Sequence, residues 1–191
     1  MRLFAVTAFT AALLATPVLA ADTYVIDPSH TQVQFSVDRF GFNQTLGVFT
    51  AVAGEFNLDT AAPEHSTVHA AIQIASLDSN NPAREKAVLS PAWLDAAKYP
   101  EMTFVSTAVK VTSAKTAEVT GDLTLHGVTR PVTLMVQLNK IGTYPVTNAT
   151  AAGFSATAMI KRSDFGIKIV PQFIGDDVTI RIEVLGVPPK P

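Results

Sequence analysis

The side chains able to do chemistry are few and scattered along the chain. His65 and His69 stand four residues apart, a spacing that puts two metal ligands on one face of a helix. His69, however, falls between Val68 and Ala70 in an alternating run, pointing away from the apolar face, and His65 precedes that run in a loop. A zinc site needs three or four ligands, so no metal is expected. Asp27, Ser29 and His30 lie together, but a triad is defined by geometry and not by adjacency, and Pro28 makes the segment a turn. Asp164-Phe165-Gly166 matches a kinase tripeptide with nothing else of a kinase around it. No GxSxG elbow, HExxH or nucleotide fingerprint is present, so no catalytic residue and no cofactor is assigned. The chain has no cysteine, which excludes disulfides, thiolate metal sites, cysteine nucleophiles and covalent haem. Arg39, Arg84 and Arg162 fall in loops beside apolar segments, where a guanidinium suits a phosphate; ordinary solvated surface is the competing reading for each. His126 stands before Gly127 at a tight turn, where local hydrogen bonding competes with a ligand role.

The elements that must position these groups are strands. Thr120–Leu138 is the clearest stretch: Leu123 and Leu125 point one way while Asp122, Thr124 and His126 point the other. After Gly127–Arg130 the alternation resumes with Val132, Leu134, Val136 and Leu138, and Pro131, lacking an N–H, belongs at the start of that second strand. Similar runs span 31–37, 45–58 (one strand or a bent pair, with Gly47 and Gly54 as bend points), 67–77, 102–112, 116–125, 153–160 and 178–184. Residues 143–150 and 162–173 read as connections, and the Pro-rich end as a frayed tail. Asn81-Pro82 and Ser90-Pro91 each look like a helix start, so a short helical insert is expected around 80–98, with Trp93 and Leu94 placed to cover one barrel mouth. About eight strands with turns at short spacings predict an all-β, antiparallel barrel or sandwich in one domain.

Residues 1–20 read as a cleaved signal peptide: Arg2, an apolar stretch from Leu3 to Leu14, a break at Pro17, and Val18-Leu19-Ala20 at the cut. The stretch is too short and too broken for an anchor, which needs ~20 apolar residues. The mature domain would then be 21–191. Without Arg2, the 14 basic residues become 13 against 16 acidic, a net charge of −3 with no basic run for nucleic acid.

Several ordered motifs carry a family resemblance. The run GDLTLHGVTRPVTL, Asp27-Pro28-Ser29-His30 ahead of Val33, Phe35 and Val37, Gly47-Val48-Phe49 before Gly54-Glu55-Phe56, Tyr99-Pro100 with Met102-Thr103-Phe104, and Arg162-Ser163-Asp164-Phe165-Gly166 all resemble segments of the YceI family of bacterial periplasmic lipid-binding proteins. Together they span about residues 24–186. The sequence departs from the family at Asn81–Lys86, where many members show a histidine-bearing R-D-x-H-L-like stretch.

The resemblance implies an eight-stranded, lipocalin-like barrel that holds a long isoprenoid lipid or a quinone in the periplasm, as a binding, transport or storage protein and not an enzyme. The alternation alone leaves a filled core and a hollow tunnel both open; the resemblance favours the tunnel. Its expected lining is Val33, Phe35 and Val37, then Ile72 and Ile74, then Phe104. Further along the chain it takes in Leu123, Leu125, Leu134 and Val136, and finally Phe154, Ala156 and Ile180. Arg39, Arg84, Trp93 and Arg162 are the expected mouth or headgroup residues. The expected partners are an isoprenoid-type lipid, a membrane cytochrome or lipid-loading protein, and a second copy in a homodimer. An enzyme on such a lipid, with Asp27, His30, Asp164 and Arg162 as its polar cluster, or an accessory module of a membrane cytochrome, stands as the alternative.

Overall fold

The computed structural model describes residues 21–190; the expected signal peptide lies outside them. Eleven β-segments follow one another: β1 (Asp22–Ile26), β2 (Gln32–Arg39), β3 (Asn43–Phe49), β4 (Val52–Leu58), β5 (Thr67–Gln73), β6 (Leu77–Asp78), β7 (Glu101–Val111), β8 (Thr116–Leu125), β9 (Val128–Thr143), β10 (Thr150–Lys161) and β11 (Ile174–Val187). One helix, α1 (Pro82–Val88), stands between β6 and β7, and a 3-10 turn (Arg162–Phe165) follows β10.

Three pairs of these segments are single bent strands. β1 and β2 both run along β11, with Ile26 opposite Gly186 and Gln32 opposite Glu183, separated by the turn at Asp27–Thr31. β4 and β3 lie against β1 and β2, and β5 and β6 lie against β4 and β3. With each bent pair counted once, eight antiparallel strands lie side by side in chain order, and β11 pairs back to the first. Closure through β11 makes the fold the expected eight-stranded barrel, with an edge left only where β3 (Asn43–Gly47) runs past its two-residue pairing with β6 and along β6 itself.

Local chemistry sets the details. The bend between β3 and β4 falls at Thr50 and Ala51, not at Gly47 or Gly54. It is held by backbone bonds across to the matching bend in the next strand, Thr50 N–H to Ser76 O (3.3 Å) and Gln73 N–H to Ala51 O (3.0 Å). Gly47 serves another end: a Cβ there would stand 2.5 Å from the Phe35 ring. The β8–β9 turn is only His126-Gly127, with φ of 54° and 74°, a two-residue hairpin of the type that matches strand twist. Val128–Arg130, expected in the connection, therefore already belong to β9. Such a turn makes Leu125–Val128 the hydrogen-bonded pair, so Asp122–Pro131 is a non-bonded one. Pro131 points its missing donor away from β8, where β10 pairing has not yet begun.

The second expected helix does not form; residues 90–98 are a chain of turns. The Ser90 hydroxyl donates to Ala87 O (2.7 Å), finishing α1 instead of capping a new helix. α1 starts as its sequence implies, with the Asn81 side chain accepting from Arg84 N–H (3.0 Å) and Pro82 in the first turn. β11 is longer than expected, starting at Ile174 with a register irregularity before Val178.

The barrel is filled at one end. Tyr24 stacks on Phe56 (5.2 Å between ring centroids), and Phe154 meets Phe56 edge-on (5.5 Å). These rings fit because glycines face them: a Cβ on Gly186 would stand 2.2 Å from Phe56, and one on Gly121 would stand 2.4 Å from Phe104. Val119, Leu123 and Ala152 complete this packed half.

An apolar cavity behind a cationic rim

At the other end the barrel is hollow. A cavity of about 290 Å³ lies between β2, β3, β6, the ends of β8 and β10, and the first half of β11. Val33, Phe35 and Val37 on β2 face Val178 and Ile180 on β11, and Phe49, Leu77, Met102, Leu125 and Ile160 complete the strand-borne wall. α1 and the turns after it lay Ala87, Val88, Trp93 and Leu94 over the cavity, while Ile167 and Ile174 close it from the β10–β11 connection. The polar lining is confined to Arg39, Thr45, Ser79, Arg84 and Arg162. An open polar depression of about 470 Å³, lined by Asn43, Gln44, Leu46 and Asn81 among others, shares Arg39, Thr45, Ser79 and Arg84 with the cavity and forms its antechamber.

The three arginines differ in what holds them. Arg162 is 5% exposed, and its guanidinium donates to four backbone carbonyls, those of Gly175, Ile167, Ile169 and Ile174, each at 2.9 Å. Its carbon lies 5.6 Å from the Trp93 ring centroid, a cation–π contact. Arg162 thus fastens the 162–175 connection into the barrel end, and its donors are largely spent. Arg84 bonds through Nε and Nη2 to the hydroxyl and carbonyl of Ser79. The same Ser79 donates through its N–H (2.8 Å) to Glu85 Oε1, which also takes the Asn81 N–H. Those amide bonds, Ser79's first, hold the Glu85 carboxyl below its ordinary range. Arg39 is exposed and lies over the Phe40 ring, 4.6 Å from its centroid.

The expected lining divides along the barrel axis. Val33, Phe35, Val37, Leu125 and Ile180 face the cavity, together with all four expected mouth residues. Ile72, Ile74, Phe104, Leu123, Leu134, Val136, Phe154 and Ala156 instead lie outside its lining, in the packed part of the core. Alternation tells which face a residue is on and says nothing of its depth along the axis. Leu94 covers the cavity beside Trp93 as expected, while Thr45, Phe49, Leu77, Ser79, Ala87, Val88, Met102, Ile167 and Ile174 were not foreseen as lining. The legible signal was Ile167-Lys168-Ile169-Val170, an apolar cluster inside a connection otherwise marked by Gly and Pro.

Asp27, His30 and Arg162, proposed together as an enzyme's polar cluster, are not brought together. His30 Nδ1 lies 2.7 Å from Asp27 Oδ2, and Asp27 N–H donates to Leu185 O. Arg162 binds the carbonyl of Gly175, ten residues earlier on the same strand and hence ~30 Å away at ~3.3 Å per residue. Asp164 is exposed on the 3-10 turn. His126 is structural: its ring proton sits on Nδ1 because the facing Phe165 carbonyl (3.0 Å) can only accept, and its ring packs on Tyr99 at 4.9 Å. His65 ends a 3-10 turn, and His69 is exposed on β5.

The model of the YceI-like domain matches residues 24–185. A UPF0312 protein of Pseudomonas putida (strain W619) is 42% identical over 191 residues, covering 99% of this chain and 98% of that protein. One of Pseudomonas savastanoi pv. phaseolicola is 45% identical over 161 residues, 83% of each chain. Among solved structures, Burkholderia cenocepacia BcnA superposes with a TM-score of 0.76 at 25% identity, covering 84% of this chain and 98% of that one. A polyisoprenoid binding domain from Saccharophagus degradans shares the fold with a TM-score of 0.68 at 14% identity, covering 90% and 100%. The closed eight-stranded barrel and the matched span agree, and this chain belongs to the YceI-like domain family.

Proposed function

We propose that this protein binds a long-chain amphiphile of the isoprenoid lipid or quinone class, its chain in the apolar half-barrel and its head in the arginine-rimmed antechamber. The observation that carries this reading is the adjacency of the two spaces: an apolar cavity of about 290 Å³ shares Arg39, Thr45, Ser79 and Arg84 with an open polar depression. That is the lower end of the range for small-ligand sites, ~300–1,000 Å³. Each buried CH₂ contributes ~0.8 kcal/mol, so a modest length of chain supplies the driving force without polar recognition. The reading is of a carrier or store and not an enzyme, and the separation of Arg162 from Asp27 and His30 supports it. The solved domain described as polyisoprenoid binding supports the ligand class by its fold alone. Export to the periplasm, by the signal peptide expected at 1–20, belongs to the same proposal, as does delivery to a membrane cytochrome or lipid-loading partner.

Native mass spectrometry of protein purified from its own periplasm, followed by solvent extraction, tests the function. A stoichiometric adduct of isoprenoid or quinone mass is the expected result. A bare polypeptide mass, with no uptake when polyprenyl lipids are offered, would refute it and leave the barrel as an interaction module.

A further inference from the structure

Three phenylalanines crowd the outside of the cavity mouth. Phe42, on the β2–β3 connection, is 92% exposed, Phe40 46% and Phe173 44%, and Leu46, which lines the antechamber, is 63% exposed. Single exposed apolar residues need no explanation, but four gathered beside one opening do. They are held firmly. Phe40 and Phe173 pack with centroids 5.1 Å apart, and Phe40 N–H donates to Phe173 O at 2.7 Å. Gly41 N–H donates to Asp38 Oδ2 and Phe42 N–H to Arg39 O, closing the hairpin tightly.

The charges around this tip are partnered unequally. Asp38 is engaged by Gly41, Glu85 by the amides of Ser79 and Asn81, Asp176 by Ser163, and Asp177 by Lys161. Arg39 has the face of Phe40, and Arg84 has Ser79; among the described residues neither pairs with a carboxylate. Each of these carboxylates keeps its charge but is oriented by a donor of the fold, whereas the guanidiniums of Arg39 and Arg84 meet no carboxylate among the described residues.

We propose that the Phe40–Phe42–Phe173 tip, with Arg39 and Arg84 behind it, docks on an anionic phospholipid bilayer and sets the cavity mouth against the lipid surface. Phenyl rings enter the boundary between headgroups and acyl chains, and arginine pairs with phosphate. A ring projecting from a tight hairpin buries more of itself in such a boundary than against a flat protein surface. The inference rests on the reading of the cavity as a site for an apolar chain: a chain moves from bilayer to barrel without crossing water only where the mouth meets the membrane.

The test is flotation of the full domain with vesicles of phosphatidylcholine containing phosphatidylglycerol, and with phosphatidylcholine alone. The wild type should float with the anionic vesicles, less so with the neutral ones, and less as salt rises. Phe42→Ser, at a side chain outside the cavity and almost wholly exposed, should fold normally and lose about tenfold in vesicle partition. Its uptake of a fluorescent polyprenyl chain offered in detergent micelles should equal that of the wild type. Equal flotation of wild type and Phe42→Ser, or none by the wild type, would overturn the proposal. So would a Phe42-dependent dimer by light scattering without vesicle binding, which would assign the tip to a second copy. Failure of the wild type to take up the chain from micelles would instead remove the ligand reading, while flotation still judges the tip.

Discussion

Replacing Arg162 by Met keeps most of the side chain's apolar volume and removes the donors of its four hydrogen bonds. The carbonyls of Ile167, Ile169, Ile174 and Gly175 then lose their partners. An unsatisfied buried acceptor costs ~1–3 kcal/mol. Not all four would be left dry, because water entering by the cavity mouth can reach those nearest the opening. Ile167 is 5% exposed and is the one most surely stranded. One or two stranded carbonyls give a loss of about 1–6 kcal/mol, and in a domain of this size each kcal/mol lowers Tm by ~2–4 °C. Arg162→Lys should recover only part of the loss, since an ammonium has three donors on one atom and cannot fork across four carbonyls. Urea unfolding followed by circular dichroism gives the stability. Trp93 is the sole tryptophan and lies beside the guanidinium, so its fluorescence reports the local change. If Arg162→Met loses less than ~1 kcal/mol, and amide exchange across 162–175 stays as slow as in the wild type, then Arg162 does not fasten the connection and the argument fails.

Val178→Trp should fill the cavity from β11, abolish chain uptake and leave stability within ~1 kcal/mol of wild type; a variant that still loads a polyprenyl chain would place the ligand elsewhere. Phe104→Trp should do the opposite, because Phe104 already lies over Gly121 in the packed half: a loss of ~1–3 kcal/mol in a urea melt, with uptake retained. Gly127→Ala meets both a φ of 74° and the Tyr99 ring at 2.5 Å from the new Cβ, so it should lose ~1–3 kcal/mol, and a neutral melt would show that the turn can rearrange. Asp27 (His30 hydrogen bond, then the Ser29 N–H), Asp176 (Ser163 hydroxyl, then its N–H) and Glu85 all have carboxyls held below their ordinary values. Their stabilisation is full above the unfolded values of ~3.9 for Asp and ~4.3 for Glu, and drains away as pH falls through the lower folded ones. Tm should therefore drop steadily below about pH 4, and a Tm that holds level down to pH 2 would contradict the assignment.

Strand existence was legible in the residues because it depends on local alternation. Leu123 and Leu125 against Asp122 and Thr124 could be read without any partner strand, and the start of α1 at Asn81-Pro82 was local in the same way. The β8–β9 turn was misread by three residues because the left-handed pair His126-Gly127 suffices to reverse the chain, and only the Leu125–Val128 pairing shows where the ladder resumes. The helix after Ser90 was lost to a contact its own sequence does not announce, the hydroxyl bonding back to Ala87. The cavity was the least legible feature. Phe35 and Phe104 sit on identical-looking alternating faces, yet one lines the hollow and the other the packed half. Which of them meets a ring, a glycine or empty space depends on residues far away in the chain, as Gly186, 130 positions on, and Tyr24 do around Phe56. The residues by themselves determined an antiparallel, all-β domain of about eight strands with one apolar face inward; they left barrel and sandwich both open, and the barrel came from the family resemblance until the β1–β11 pairing closed it. Tertiary structure alone decided that half of that interior is left open, because packing is a property of facing side chains and their volumes and not of any one strand.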